Sequence, residues 1–106
     1  MDNLKLNITT AGNTWNPTLL AIQAKNYKIT LYLVVDEDGN EKSEYEAEKD
    51  GRRFSATSPA ELLGLIAMWE VRGDNWQYNH KTEPNLNEEL AELAITYDQD
   101  GNIVEY

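Results

Sequence analysis

The chain has 106 residues, no cysteine, a charged fraction of 26% and a formal net charge of −10. That length supports one small core, and the lack of cysteine excludes a disulfide scaffold or a thiolate metal site. The charge is uneven: residues 1–35 sum to +2, 36–50 to −6, 51–82 to +1 and 83–106 to −7. Direct binding to nucleic acid or an anionic membrane needs a basic footprint, so neither is expected.

Taken in chain order, the opening MDNLKLNITT has no basic segment followed by an apolar one, so no secretory leader is expected, and LKLNI alternates as an edge strand would. No apolar run approaches the roughly 20 residues that span a bilayer, and a soluble cytoplasmic protein is the expectation. Asn16-Pro17 followed by TLLAIQAKN reads as a short helix near 17–25. Residues 27–35, YKITLYLVV, alternate strictly, with Tyr27, Ile29, Leu31, Leu33 and Val35 on one face.

The next strand, 41–49, places Ser43, Tyr45 and Ala47 opposite in face to Glu44, Glu46 and Glu48. A two-residue loop at Asp38-Gly39 would set Leu33 beside Glu44 and mix the faces. A three-residue loop, Glu37-Asp38-Gly39 with Gly39 left-handed, pairs Leu33 with Ser43 and Leu31 with Tyr45 instead. Asp50-Gly51 then signals a tight hairpin into strand 52–56, pairing Ala47 with Phe54, Tyr45 with Ala56 and Glu48 with Arg53.

The stretch SPAELLGLIAMWEVRGDNW carries a full set of helix signals. Ser58 can cap, Pro59 suits the first turn, Glu61 completes an S-x-x-E box, and Gly73 can end the helix in the left-handed region. Leu62, Leu63, Ile66 and Trp69 form a stripe that Leu65, Ala67, Met68 and Val71 widen almost all round, which predicts a central helix buried on most sides. Gly64 then predicts close approach by another element. After a polar loop, NLNEELAELA reads as an amphipathic helix near 86–94, with Leu86, Leu90 and Leu93 on one side. DQDGN predicts a closing hairpin between 95–98 and 102–106. The expected fold is one α+β domain over 1–106: a three-stranded antiparallel meander (27–35, 41–49, 52–56) against a central helix (59–72), with shorter helices near 17–25 and 86–94.

Motifs for catalysis and metal binding are scarce. Both DxDGN segments fail as EF-hand loops, since Gly39 at position 6 puts Val34 at position 1 and Tyr45 at position 12. They read as hairpin turns. His80 is the one histidine and has no ligand spacing around it. Ser43, Ser55 and Ser58 lack a nucleophile-elbow context, no phosphate-cradling glycine loop occurs, and RGD at 72–74 falls at a helix end. No catalytic residue, metal ligand or cofactor is assigned. Glu70 falls on the apolar stripe and needs a partner, a helix-end position near solvent or a raised pKa. Arg72, Arg52, Arg53 and the indoles of Trp69 and Trp76 are the partners in view. A pocket of Trp69, Glu70, Trp76 and His80 is its functional counterpart. The outer face of the meander offers a second surface: Glu44, Glu46 and Glu48 in a row, Tyr32 opposite Glu44, and Lys28 and Arg53 beside Glu48.

The combination WNPTLLAIQAKNY, EAEKDGRRFSATSPAELLGLIAMWE and RGDNW resembles short acidic bacterial proteins of the immunity type found in toxin systems, over about residues 14–76. The resemblance implies a non-enzymatic protein that covers the active site of a basic toxin, often a nuclease, with an acidic surface. The partner-binding residues would be Tyr32, Glu44, Glu46 and Glu48. Two other readings stand beside it: a small enzyme or ligand-binding domain using the pocket around Glu70, Trp69 and Trp76, and a homodimer whose apolar helix is completed by its twin.

Overall fold

The computed structural model describes residues 4–105. The chain divides into two compact units, Met1–Trp76 and Gln77–Tyr106. In the first, a 3-10 turn at Gly12–Thr14 leads into α1 (Trp15–Ala24), followed by β1 (Lys28–Val35), β2 (Glu41–Lys49), β3 (Arg52–Ala56) and α2 (Pro59–Arg72). The second holds α3 (Leu86–Glu92) and a two-stranded hairpin, β4 (Thr96–Tyr97) and β5 (Ile103–Val104). The architecture is α+β, with an antiparallel β1–β2–β3 meander.

Turn chemistry sets the register. Gly39 has φ 82°, and the three-residue loop brings Leu33 opposite Ser43 and Leu31 opposite Tyr45. Asp36 locks this turn, its Oδ1 accepting the N–H groups of Asp38 and Asn40 at 2.9 and 2.8 Å. At the second turn Asp50 and Gly51 both take positive φ, 51° and 77°, and Ala47 faces Phe54 while Glu48 faces Arg53. In the second unit DQDGN repeats the first turn: Asp98 Oδ1 accepts from Asp100 and Asn102, both at 2.9 Å, and these bonds hold its carboxyl below the usual range.

The core lies between the inner sheet face and the two helices. Ile22 from α1, Leu62 and Ile66 from α2, Tyr45 and Ala47 from β2, and Tyr27 just before β1 are its buried members. Ring contacts extend it, with Tyr27 against Phe54 at 6.0 Å and Phe54 against Trp69 at 5.8 Å. Ser58 caps α2 by accepting the Glu61 N–H at 3.3 Å, and Gly73, with φ 81°, ends it.

Several expectations change. Helix α2 is buried along one stripe rather than on most sides: Ile66 is fully buried, whereas Val71 is 87% exposed. The reason is that α1 and the sheet both lie on that one side of it. Gly64 faces open space, with nothing within 4 Å of where a Cβ would be, so no element approaches it. Helix α1 begins at Trp15, one residue before Asn16; Pro17 fits its first turn, where the missing N–H has no partner to lose. The Thr18 hydroxyl donates to the Thr14 carbonyl at 2.7 Å. Residues 4–8, LKLNI, form no strand, and Leu4, Leu6 and Ile8 are exposed. The last residue of the predicted C-terminal strand, Tyr106, lies outside the described residues. Among the described residues no helix is long and apolar enough to cross a membrane.

Two outcomes follow for stability. Ile66→Ala removes a fully buried side chain and should cost about 2–5 kcal/mol in urea unfolding, while Val71→Ala should stay within about 0.5 kcal/mol. Gly64→Ala meets no atom and restores helix propensity, so it should stabilise by about 0.5–1 kcal/mol. A loss of stability there would show that the glycine is needed for packing.

Candidate functional site

Two surfaces of the first unit collect the residues singled out above. The outer sheet face is made by even-numbered positions of β1 and β2 and by Arg53 and Ser55 of β3. The register sets Tyr32 opposite Glu44, Thr30 opposite Glu46 and Lys28 opposite Glu48, so the expected row of Tyr32, Glu44, Glu46 and Glu48 does share one face. Arg53 reaches across it, with Nη2 at 3.0 Å from Glu48 Oε2 and Nε at 3.5 Å from Glu46 Oε1. The Glu48 hydrogen bond, with both carboxylates adding to it, raises the Arg53 pKa.

The face is therefore less acidic than its middle strand. Lys28, Lys42 and Arg53 offset Glu44, Glu46 and Glu48. Among the described residues Glu44 forms no ion pair, and the uncompensated charge lies beside it. Residues 36–44 carry five carboxylates (Asp36, Glu37, Asp38, Glu41 and Glu44) against one ammonium, Lys42. This end of the hairpin extends past its cover, because β3 pairs only with Tyr45–Lys49 of β2. Leu31, Leu33 and Val35 on the inner face and Tyr32 and Val34 on the outer one are all about half exposed.

The second surface is a groove of about 280 Å³ between β3 and α2, lined by Arg52, Phe54, Leu65, Trp69, Asp74 and Trp76 among others. Its centre is a clasp on Asp74. Arg52 grips that carboxylate with two bonds, Nε to Oδ1 at 2.9 Å and Nη2 to Oδ2 at 2.7 Å, and the Trp69 indole N–H donates to Oδ1 at 2.8 Å. The guanidinium also lies 5.0 Å from the Trp69 ring. A bidentate arginine favours the ionised carboxylate, so the Arg52 bonds first and the indole second hold the Asp74 carboxyl well below its usual range. The Arg72 side chain donates to the Trp76 carbonyl at 2.7 Å, fixing the chain just beyond the helix.

The groove unites Trp69 and Trp76 and leaves Glu70 outside its lining. Glu70 turns to the end of α1, where the ammonium of Lys25, just past the helix, donates to both its oxygens at 3.0 and 3.1 Å. Lys25 was not among the partners that spacing offered, since it lies 45 residues away. His80 belongs to the Gln77–Tyr106 unit. Asp74, the charged centre of the groove, is missed by motif reading because RGD attracts a helix-end explanation and its Arg52 partner is 22 residues distant. Among the described residues no cluster of three or more His, Cys, Asp and Glu is placed to hold a metal ion. Comparison with protein-family models, with curated proteins and with solved structures finds no match.

Asp74 has a definite consequence for pH. Its folded pKa lies below its unfolded value of about 3.9, so its stabilisation is complete above that value and is lost as pH falls through the folded one. Asp74→Asn should therefore lower the Tm at neutral pH and reduce the loss of stability between about pH 4 and pH 2. Thermal melts of both proteins across that range would measure it; parallel pH profiles would remove the clasp from the account.

Proposed function

We propose that this chain is a non-enzymatic binding protein that covers a basic protein partner with an acidic surface, in the manner of the immunity proteins it resembles. The observation that carries this reading is the uncovered end of the β1–β2 hairpin. There an apolar group, Leu31, Tyr32, Leu33 and Val34, adjoins five carboxylates and a single ammonium. Protein interfaces combine an apolar centre with a polar rim, and the charge of the rim sets encounter rate and partner choice. Glu44 joins the two parts, next to Tyr32 and unclaimed by Arg53. Glu46 and Glu48 serve the reading less directly, because Arg53 holds them.

The groove beside Trp69 and Trp76 favours a second reading, small-ligand binding, because it exposes two indoles around one polar centre. Substitution separates the two. Proteins retained from lysate of the source organism would be purified and titrated against the native chain, Glu44→Lys and Trp76→Ala. The binding reading expects Glu44→Lys to weaken a basic partner about tenfold, or ~1.4 kcal/mol, mainly through slower association. Trp76→Ala should leave that affinity unchanged. Equal affinity for Glu44→Lys and the native chain would sink the acidic-surface reading, and loss of binding in Trp76→Ala alone would move the site to the groove.

A further inference from the structure

We infer that the open edge of β1 is a self-association site, where two copies of the chain join antiparallel into one six-stranded sheet. Among the described residues β1 has β2 on one side and no strand on the other. Soluble proteins protect such an edge with charge, proline, a bulge or a very short strand. β1 has eight residues, KITLYLVV, with its one charge at the first position, and Leu31 to Val35 are five consecutive exposed apolar residues.

Backbone parity selects how a second strand can dock. The Asp36 N–H bonds the Asn40 carbonyl at 2.9 Å, so residue 36 turns its backbone groups towards β2. Alternation then directs even-numbered residues to β2 and leaves Ile29, Leu31, Leu33 and Val35 facing the open edge. An antiparallel copy must pair odd residues with odd ones. With Tyr32 on the two-fold axis, Leu31 meets the second copy's Leu33 and Ile29 meets its Val35, giving about eight backbone hydrogen bonds.

Charge chooses this register over its neighbours. It sets Lys28, which forms no ion pair among the described residues, opposite the second copy's Asp36, and the two-fold axis repeats the match at the other end. Moving the axis to Leu31 puts Lys28 against Val34; moving it to Leu33 puts Thr30 against Asp36 and Lys28 level with Asp38, which lies inside the turn rather than along the strand edge. The edge is thus complementary to itself, cation at one end and carboxylate at the other, as an isologous dimer requires. A two-fold axis normal to the sheet keeps both outer faces on one side and both pairs of helices on the other. This inference does not rest on the partner proposed above, although both use the stretch from Leu31 to Val34.

The test uses sedimentation of the native chain and single cysteines placed in it, since it has none of its own. The native chain should sediment as a dimer, and Leu33→Lys, at a position already exposed and so compatible with folding, should weaken the dimer at least about tenfold. Tyr32→Cys should oxidise to a covalent dimer at least about tenfold faster than Val34→Cys. Directly opposed residues at a non-hydrogen-bonded position lie about 4.5 Å apart at Cα, within disulfide reach. The two Val34 positions would be displaced by roughly 14 Å along the strands. A monomer at all concentrations, species larger than a dimer, or equal cross-linking at the two positions would overturn the inference. So would loss of the dimer on deleting residues 1–8, which would assign the edge to the exposed LKLNI segment.

Discussion

A strand has two faces, and a slip of one residue exchanges them; the rest of this protein depends on two turns that respect that parity. Asp36 and Gly39 at the first turn, and Asp50 and Gly51 at the second, keep Tyr27, Tyr45, Ala47 and Phe54 on a common side. Only then can Ile22, Leu62 and Ile66 meet them in a shared core. The same parity delivers Glu44, Glu46, Glu48 and Arg53 to the opposite side. Core and outer face are consequences of one constraint, because an error at either turn would bury glutamates and expose the aromatic residues.

Helix placement explains why so much of β1 is uncovered. β3 ends at Ala56 and α2 begins three residues later, so α2 must fold back over the part of the sheet that β3 occupies. Its 14 residues extend about 21 Å. β2 continues beyond β3 to Glu41, and β1 accompanies it to Val35. Packing at the near end is well supplied, with three aromatic contacts and the Lys25–Glu70 tie between α1 and α2. At the far end, the same inward alternation that built the core goes on through Leu31, Leu33 and Val35, which are about half exposed.

This also accounts for what could be read from the chain. The register of the meander and the limits of α2 were legible because they follow from local chemistry: the Gly39 and Asp50-Gly51 turns, the Ser58 cap and the Gly73 stop act within a few residues. Long-range pairing was not. The partners of Glu70 and Asp74 come from other elements, and their spacing carries no period. The apolar circumference of α2 misled for a related reason, because residue type reports what would favour burial and says nothing about how many elements are available to cover it. Val71 and Gly64 stand exposed simply because, among the described residues of this unit, no element packs on that side. LKLNI has the alternation of a strand, yet alternation does not supply a neighbour.

The charges follow the same division between local pattern and assembled structure. Along β2 the glutamates form a row, but β1 and β3 bring Lys28 and Arg53 beside it, and Lys42 follows at the far end. The assembled face is close to neutral while the hairpin end keeps its excess of carboxylates. Ion pairs this exposed contribute little to stability, about 0–1 kcal/mol each. On the proposed reading their larger effect would be on recognition, since a carboxylate already facing Arg53 draws an incoming cation less than one facing water. On that reading, Glu44 and the turn residues around Asp38 would therefore have more influence on an approaching basic surface than Glu46 or Glu48, though all belong to one acidic stretch of sequence. Because that excess lies next to the apolar residues of β1, the proposed partner would meet attraction at a distance and burial on contact at a single end of the sheet.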